Sequence, residues 1–160
     1  MCQSINSRRY FFKIPQKLKA FDLFLDEHPE WASQCVLVQL AIPTRSDVPE
    51  YKKLKRQVHE MVGSICGKHS KLYTGPPVIY LDGSVDHEEL TALYRAADVA
   101  LITSIRDGMN LVAFEYVASQ QHKNGVLVMS EFAGAAQSLG AGSIRINPWN
   151  LEEVSSRNIS

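Results

Sequence analysis

A chain of 160 residues, 45% apolar and 21% charged, has the size and composition of one globular domain with its own core, which excludes a disordered or fibrous chain. Its 17 basic and 17 acidic residues cancel, so no global field draws it to nucleic acid or an anionic membrane. A local anion site needs only a few side chains and survives that exclusion.

The predicted elements alternate. "PQKLKAFDLFLDEH" sets Leu18, Phe21, Phe24 and Leu25 on one helical face, with Pro15 suited to the first turn. "CVLVQLAI" is an unbroken apolar run of strand length that stops at Pro43. "DVPEYKKLKRQVHEMVGSI" carries Val48, Tyr51, Leu54, Val58, Met61, Val62 and Ile65 at helical spacing. "PVIYL" reads as a strand, "HEELTALYRAA" as a helix and "DVALIT" as a strand. A helix follows whose first residues are expected to be Met109, Asn110 and Leu111. "GVLVMS" is a further strand, "EFAGAAQSLG" a short helix ended by Gly140, and "SIRIN" a last strand. "NPWNLEEV" resembles the opening of another helix.

Strands without polar alternation are covered on both faces, and strand–helix repetition makes a parallel sheet with right-handed crossovers. The expected class is therefore α/β, a doubly wound and mainly parallel sheet with helices on both faces. In such sheets ligands bind beyond the carboxyl ends of the strands. That rule selects four loops: "PTRSDVPE", "DGSVD", "SIRDGMN" and "SEFAGAA".

Of these, "SIRDGMN" has the most chemistry. Gly108 lets a ligand approach the backbone, and the amides of Met109, Asn110 and Leu111 are expected as free donors at a helix N-terminus. Such donors suit phosphate oxygens or sugar hydroxyls. Asp107 and Glu115 accept only, so at neutral pH they suit vicinal hydroxyls. A nucleotide-sugar combines both demands. The plainer alternative is that Asp107 caps the helix and Glu115 is a solvated acid complementing the dipole.

Rival motifs are missing from the sequence: no G-x-G-x-x-G after a strand, no G-x-x-x-x-G-K-[ST], no H-E-x-x-H and no G-x-S-x-G. His28, His59, His69, His87 and His122 show no ligand spacing and are expected on surfaces or helix faces. Cys2, Cys35 and Cys66 are too far apart for a zinc knuckle and fit free thiols in a reducing compartment. No apolar run reaches membrane-span length, and "MCQSINSRRYFF" lacks the apolar core of a signal peptide, so a cytosolic location is expected. No metal or cofactor is expected.

"AIPTRSDVPEYKKLKRQVHEMVG", "YLDGSVDHEELTALYRAADVALITSIRDGMNLVAFEYVASQ" and "GVLVMSEFAGAAQSLGAGSIRINPWNLEEV" resemble the C-terminal half of trehalose-6-phosphate synthases. Those are retaining glycosyltransferases of the two-lobed GT-B kind, and "SEFAG" with "NPWN" resembles their plant branch. The likeness runs from Ile14 to Val154. It implies a Rossmann-like nucleotide-sugar-binding lobe over residues 14–160, truncated at its C-terminal end, after a divergent segment 1–13. Sucrose and glycogen synthases share the pair of acids but not "RDGMNLV" followed by "FAGAAQSLGAG".

The resemblance implies transfer of glucose from UDP-glucose to glucose 6-phosphate, giving trehalose 6-phosphate. It assigns Asp107 to the donor-sugar hydroxyls, the amides from Gly108 through Met109 and Asn110 to Leu111 to sugar and diphosphate, and Glu115 to the ribose hydroxyls. Val85 and Leu90 would flank the uracil, and Arg45 would lie toward the acceptor phosphate. Family members open this lobe with R-L-D-Y-I-K-G-I-P-Q-K, whose Arg and Lys clamp the diphosphate. This chain reads "SRRYFFKIPQK". With the family Gly treated as deleted, Arg8 and Lys13 take the clamp positions; without a gap they become Ser7 and Phe12.

The family's acceptor lobe has no counterpart in this sequence. A single lobe is therefore expected to turn over poorly, because positioning both substrates supplies much of the rate. The alternative function is a catalytically inactive regulatory or binding module of the same family, associating with a full-length synthase.

Overall fold

A computed structural model describes residues 2–6, 14–41, 49–73, 75–121 and 123–150. Within them lie β1 (Cys2–Asn6), β2 (Leu37–Ala41), β3 (Val78–Asp82), β4 (Val99–Ile102), β5 (Val126–Ser130) and β6 (Ile144–Ile146), all paired in parallel in the order β3-β2-β1-β4-β5-β6. Between them run α1 (Ile14–Glu27), α2 (Pro49–His69), α3 (His87–Ala96), α4 (Leu111–Ser119) and α5 (Ala135–Leu139), with 3-10 turns at Pro29–Ser33 and Gly140–Gly142.

The apolar runs behave as their composition requires. All five residues of β2 are buried, and so are Leu127 to Ser130 of β5. Successive residues of a strand face opposite sides, so one run serves two cores. Ala100 and Ile102 of β4 pack with Tyr94, Val112 and Tyr116 of α3 and α4. Leu101 between them joins Ala20 of α1, Val128 and Ile146. A third cluster seats α1 and α2 on β2 and β3 through Phe21, Phe24, Leu54, Val58 and Val78. Helices thus cover both faces, as the sequence pattern requires.

The polar stretch "CQSIN" carries no strand signal, yet it is the central strand. β1 pairs with β2 from Cys2↔Leu37 through Asn6↔Ala41, but with β4 only at Cys2↔Val99 and Gln3↔Ala100. Beyond Gln3 the two strands part. From there the order runs to β2 and β3 on one side and to β4, β5 and β6 on the other, which is the crevice where doubly wound sheets bind ligands.

His69, expected on a surface or helix face, is instead nearly buried at the end of α2, its Nε2 2.8 Å from Asp22 Oδ1 of α1. Lys68 reaches Asp22 and Asp26 beside it. Asp22, Asp26 and His69 converge as three potential cation ligands. The Lys68 ammonium already sits against both carboxylates, and the cluster ties α1 to α2.

Candidate functional site

The loops at the carboxyl edge divide into those spent on the fold and those left open. In "DGSVD", Asp82 pairs with Lys55 of α2. Asp86 caps α3, its Oδ1 accepting from the Glu89 amide at 2.7 Å. Both acids of that loop have structural work. Val85 and Leu90 are half-buried and pack against the core cluster that contains Tyr94 and Tyr116, so each shows only part of its surface beyond the sheet. "PTRSDVPE" carries Arg45, which lies outside the described residues, as do Arg8 and Lys13.

The β4–α4 loop is built differently from expectation. α4 starts at Leu111, so Met109 and Asn110 precede it. Asn110 is the cap: its Oδ1 accepts from the Ala113 amide at 3.0 Å. It sits at φ 64°, the one non-glycine residue with positive φ among the described residues. Asn tolerates this left-handed conformation better than most side chains, and it is among the strongest N-caps. Its Nδ2 donates to Asp107 Oδ2 at 2.9 Å and to Ser104 Oγ at 3.1 Å. Asp107 is therefore not the helix cap of the plainer alternative. It is a half-buried carboxylate held from one side, with acceptor capacity to spare.

A second loop braces the first. The Gly134 amide donates to the Asp107 carbonyl at 2.8 Å, forming a parallel bridge between Asp107 and Ala133. A Cβ on Gly134 would stand 2.0 Å from the Gly108 oxygen, so only glycine permits this approach. The α4 N-terminus lies directly after the braced turn, and its first-turn amides have no acceptor within the helix. Met109 and Leu111 leave their side chains exposed at this edge, as does Phe132 of the neighbouring loop.

Glu115 lies in the second turn of α4. Its Oε2 accepts from the Tyr94 hydroxyl of α3 at 2.8 Å. The two side chains line a cleft of about 390 Å³ between α3 and α4, together with His87, Thr91, Arg95 and Ser119. Burial, followed by the bond to Glu115, pushes the Tyr94 phenol well above its ordinary value, so it stays a donor at any working pH.

The floor of the crevice is polar. Lys17 of α1 is buried and donates from its ammonium to the Leu101 carbonyl of β4 at 3.2 Å. Thr103, Ser104 and Gln39 are buried nearby in sequence and sheet order, and Thr103 Oγ1 and Gln39 Oε1 have no hydrogen-bond partner among the described residues. Sequence reasoning did not single out Lys17 or Tyr94. Each stands in a helical pattern as an ordinary amphipathic residue, and only the parting of β1 from β4, or the crossing of α3 on α4, sets it apart.

Residues 4–158 match the model of glycosyltransferase family 20. An Arabidopsis thaliana alpha,alpha-trehalose-phosphate synthase (UDP-forming) is 60% identical over 141 residues, covering 88% of this chain and 15% of the plant protein. An E. coli structure bound with UDP-2-fluoro glucose superposes with a TM-score of 0.89 at 36% identity, over 97% of this chain and 34% of its own. A Burkholderia xenovorans UDP-forming synthase in complex with glucose-6-phosphate gives 0.89 at 35% identity, over 96% and 34%. The chain thus spans about a third or less of the length of these relatives.

Proposed function

The chain belongs to glycosyltransferase family 20, and from that premise we propose that it is the donor-binding part of a UDP-forming trehalose-phosphate synthase, transferring glucose from UDP-glucose to glucose 6-phosphate. The observation that carries the proposal is the braced turn at the tip of β4. There Asp107 is held by Asn110 and Gly134 directly before the α4 N-terminus. Asp107 accepts from the glucose hydroxyls, the amides of Gly108, Met109, Asn110 and Leu111 face sugar and diphosphate, and Glu115 accepts from the ribose. The positive end of α4 stabilises charge that grows on UDP as the glycosidic bond breaks.

On this reading Val85 and Leu90 border the uracil. Arg8 and Lys13, from the segment after β1, clamp the diphosphate, and Arg45, from the segment after β2, meets the acceptor phosphate. The support for Arg8 and Lys13 is their place in the chain after β1, which borders the crevice; Arg45 follows β2, the strand beside it. The free thiols of Cys35 and Cys66 fit a reducing compartment, and the cytosol is the proposed location. Among the described residues no helix is long and apolar enough to cross a membrane.

Isothermal titration with UDP-glucose tests the assignment. The chain binds, and the Asp107→Ala Glu115→Ala variant binds at least tenfold more weakly, since each lost hydrogen bond to a carboxylate is worth about 1.5–3 kcal/mol. Equal affinities, or no binding by the unaltered chain, defeat the donor-site reading.

A second reading is a binding module of the same family that holds donor, associates with a full-length synthase and transfers nothing itself. UDP release by the purified chain with both substrates decides between the two. Turnover above that of the double variant removes the second reading, and its absence favours that reading.

A further inference from the structure

Glu115 stands on the exposed side of α4, where an unanchored glutamate samples many rotamers. Here it does not. The Tyr94 hydroxyl holds Oε2 at 2.8 Å, and Tyr94 itself is buried and bonded on two sides. The residue is only 3% exposed, and its ring packs edge-on against Tyr116 at 6.4 Å between centroids. Its carbonyl takes a 2.6 Å hydrogen bond from Gln120 Nε2 of the residue that ends α4. A carboxylate has two oxygens and about four acceptor sites, so one bond from Tyr94 leaves Glu115 acceptor capacity for a ligand.

Resting on the proposed role of Glu115 at the ribose, we propose that Tyr94 is a positioning residue for nucleotide recognition: it pre-orients the Glu115 carboxylate to accept from the vicinal hydroxyls of a ribonucleoside diphosphate. Without it the ligand must order the glutamate as it binds, and that ordering cost falls on the ribose contact alone. The effect is therefore specific. It lowers affinity for a ligand with ribose hydroxyls and leaves one without them unchanged.

The probes are UDP and 2′,3′-dideoxy-UDP, titrated calorimetrically against the full 160-residue chain. In the unaltered protein UDP binds about tenfold or more tightly than its dideoxy analogue, as a charge-assisted hydrogen bond requires. In Tyr94→Phe, which keeps the ring and its packing, this preference shrinks about three- to tenfold while dideoxy-UDP binds as before. Glu115→Gln removes most of the preference, and adding Tyr94→Phe to it changes nothing further. Dideoxy affinity doubles as the folding control: a general loss in Tyr94→Phe means the phenol only ties α3 to α4, and overturns the proposal. An undiminished preference in Tyr94→Phe also overturns it while leaving the ribose role of Glu115 intact. Absence of any preference in the unaltered chain, or failure of UDP to bind, defeats that role and the proposal with it.

Discussion

Replacing Gly134 with alanine sets two physical effects of opposite sign against each other. Gly134 sits at φ −59° and ψ −31°, ordinary helical backbone at the start of α5. Alanine adopts those angles freely, and at such a site Gly→Ala stabilises by about 0.4–1 kcal/mol. Against this, the new Cβ would lie 2.0 Å from the Gly108 oxygen and 2.6 Å from its carbon. Carbon–oxygen contacts begin near about 3.3 Å, so the two loops must part by more than about 1 Å. Both obstacles are backbone, which cannot rotate away. Overpacking costs about 1–3 kcal/mol, and the Gly134–Asp107 hydrogen bond adds about 0.5–1.5 when it breaks. The net is a destabilisation of about 2 kcal/mol, or a Tm lower by about 4–8 °C for a domain of this size. Because Asp107 moves with the loop, UDP-glucose affinity falls about tenfold or more in titration calorimetry. A Tm that rises or stays level would show that propensity wins and that the loops are not braced as described.

Asn110→Ala loses a helix cap and places a Cβ-bearing residue without a local hydrogen bond at φ 64°, so chemical denaturation is expected to show a loss of about 2–3 kcal/mol. Asn110→Gly restores the backbone part of that loss but not the cap, and both variants bind UDP-glucose more weakly because Asp107 loses its 2.9 Å partner. At the opposite end of the sheet, the hydrogen bond from Lys123 holds the Asp98 carboxyl below its ordinary value of 3.8. A depressed carboxylate contributes stability that is present above the unfolded value and lost as pH falls through the folded one. Lys123→Ala should therefore cost under about 1 kcal/mol at neutral pH for this exposed pair, and the pH-dependent part of that cost should vanish below 3.8 in denaturation curves taken across the acid range.

How much of this was legible depends on what each residue answers to. The apolar runs at Leu37–Ala41 and Val126–Ser130 answer to burial, which the sequence displays directly. β1 answers to backbone pairing on both of its edges, which "CQSIN" cannot display because every residue owns the same amide and carbonyl. Asp107 and Glu115 could be picked out because acids beside a helix N-terminus are a local pattern. The work of Asn110 could not, since its side chain serves the helix, Asp107 and Ser104 together, and that depends on a left-handed turn. Gly134 was visible as a glycine, but its reason is a carbonyl oxygen on another loop, distant in the chain.

Several departures from local rules gather at one edge. A non-glycine residue in left-handed conformation, a glycine that admits no Cβ, a buried lysine and an unpartnered threonine hydroxyl all belong to segments meeting beside the split between β1 and β4. Each carries a cost: about 1–2 kcal/mol for the turn, and desolvation for every buried polar group. Others lie elsewhere: a Cβ on Gly125 would stand 2.1 Å from the Tyr116 hydroxyl, and the Tyr80 hydroxyl and Ser143 Oγ are buried without a hydrogen-bond partner among the described residues. The edge where the first group gathers is the one at which doubly wound sheets bind ligands. Strain and burial there support placing the proposed donor site at this edge. A ligand found on the face of α1 and α2 would contradict both lines at once.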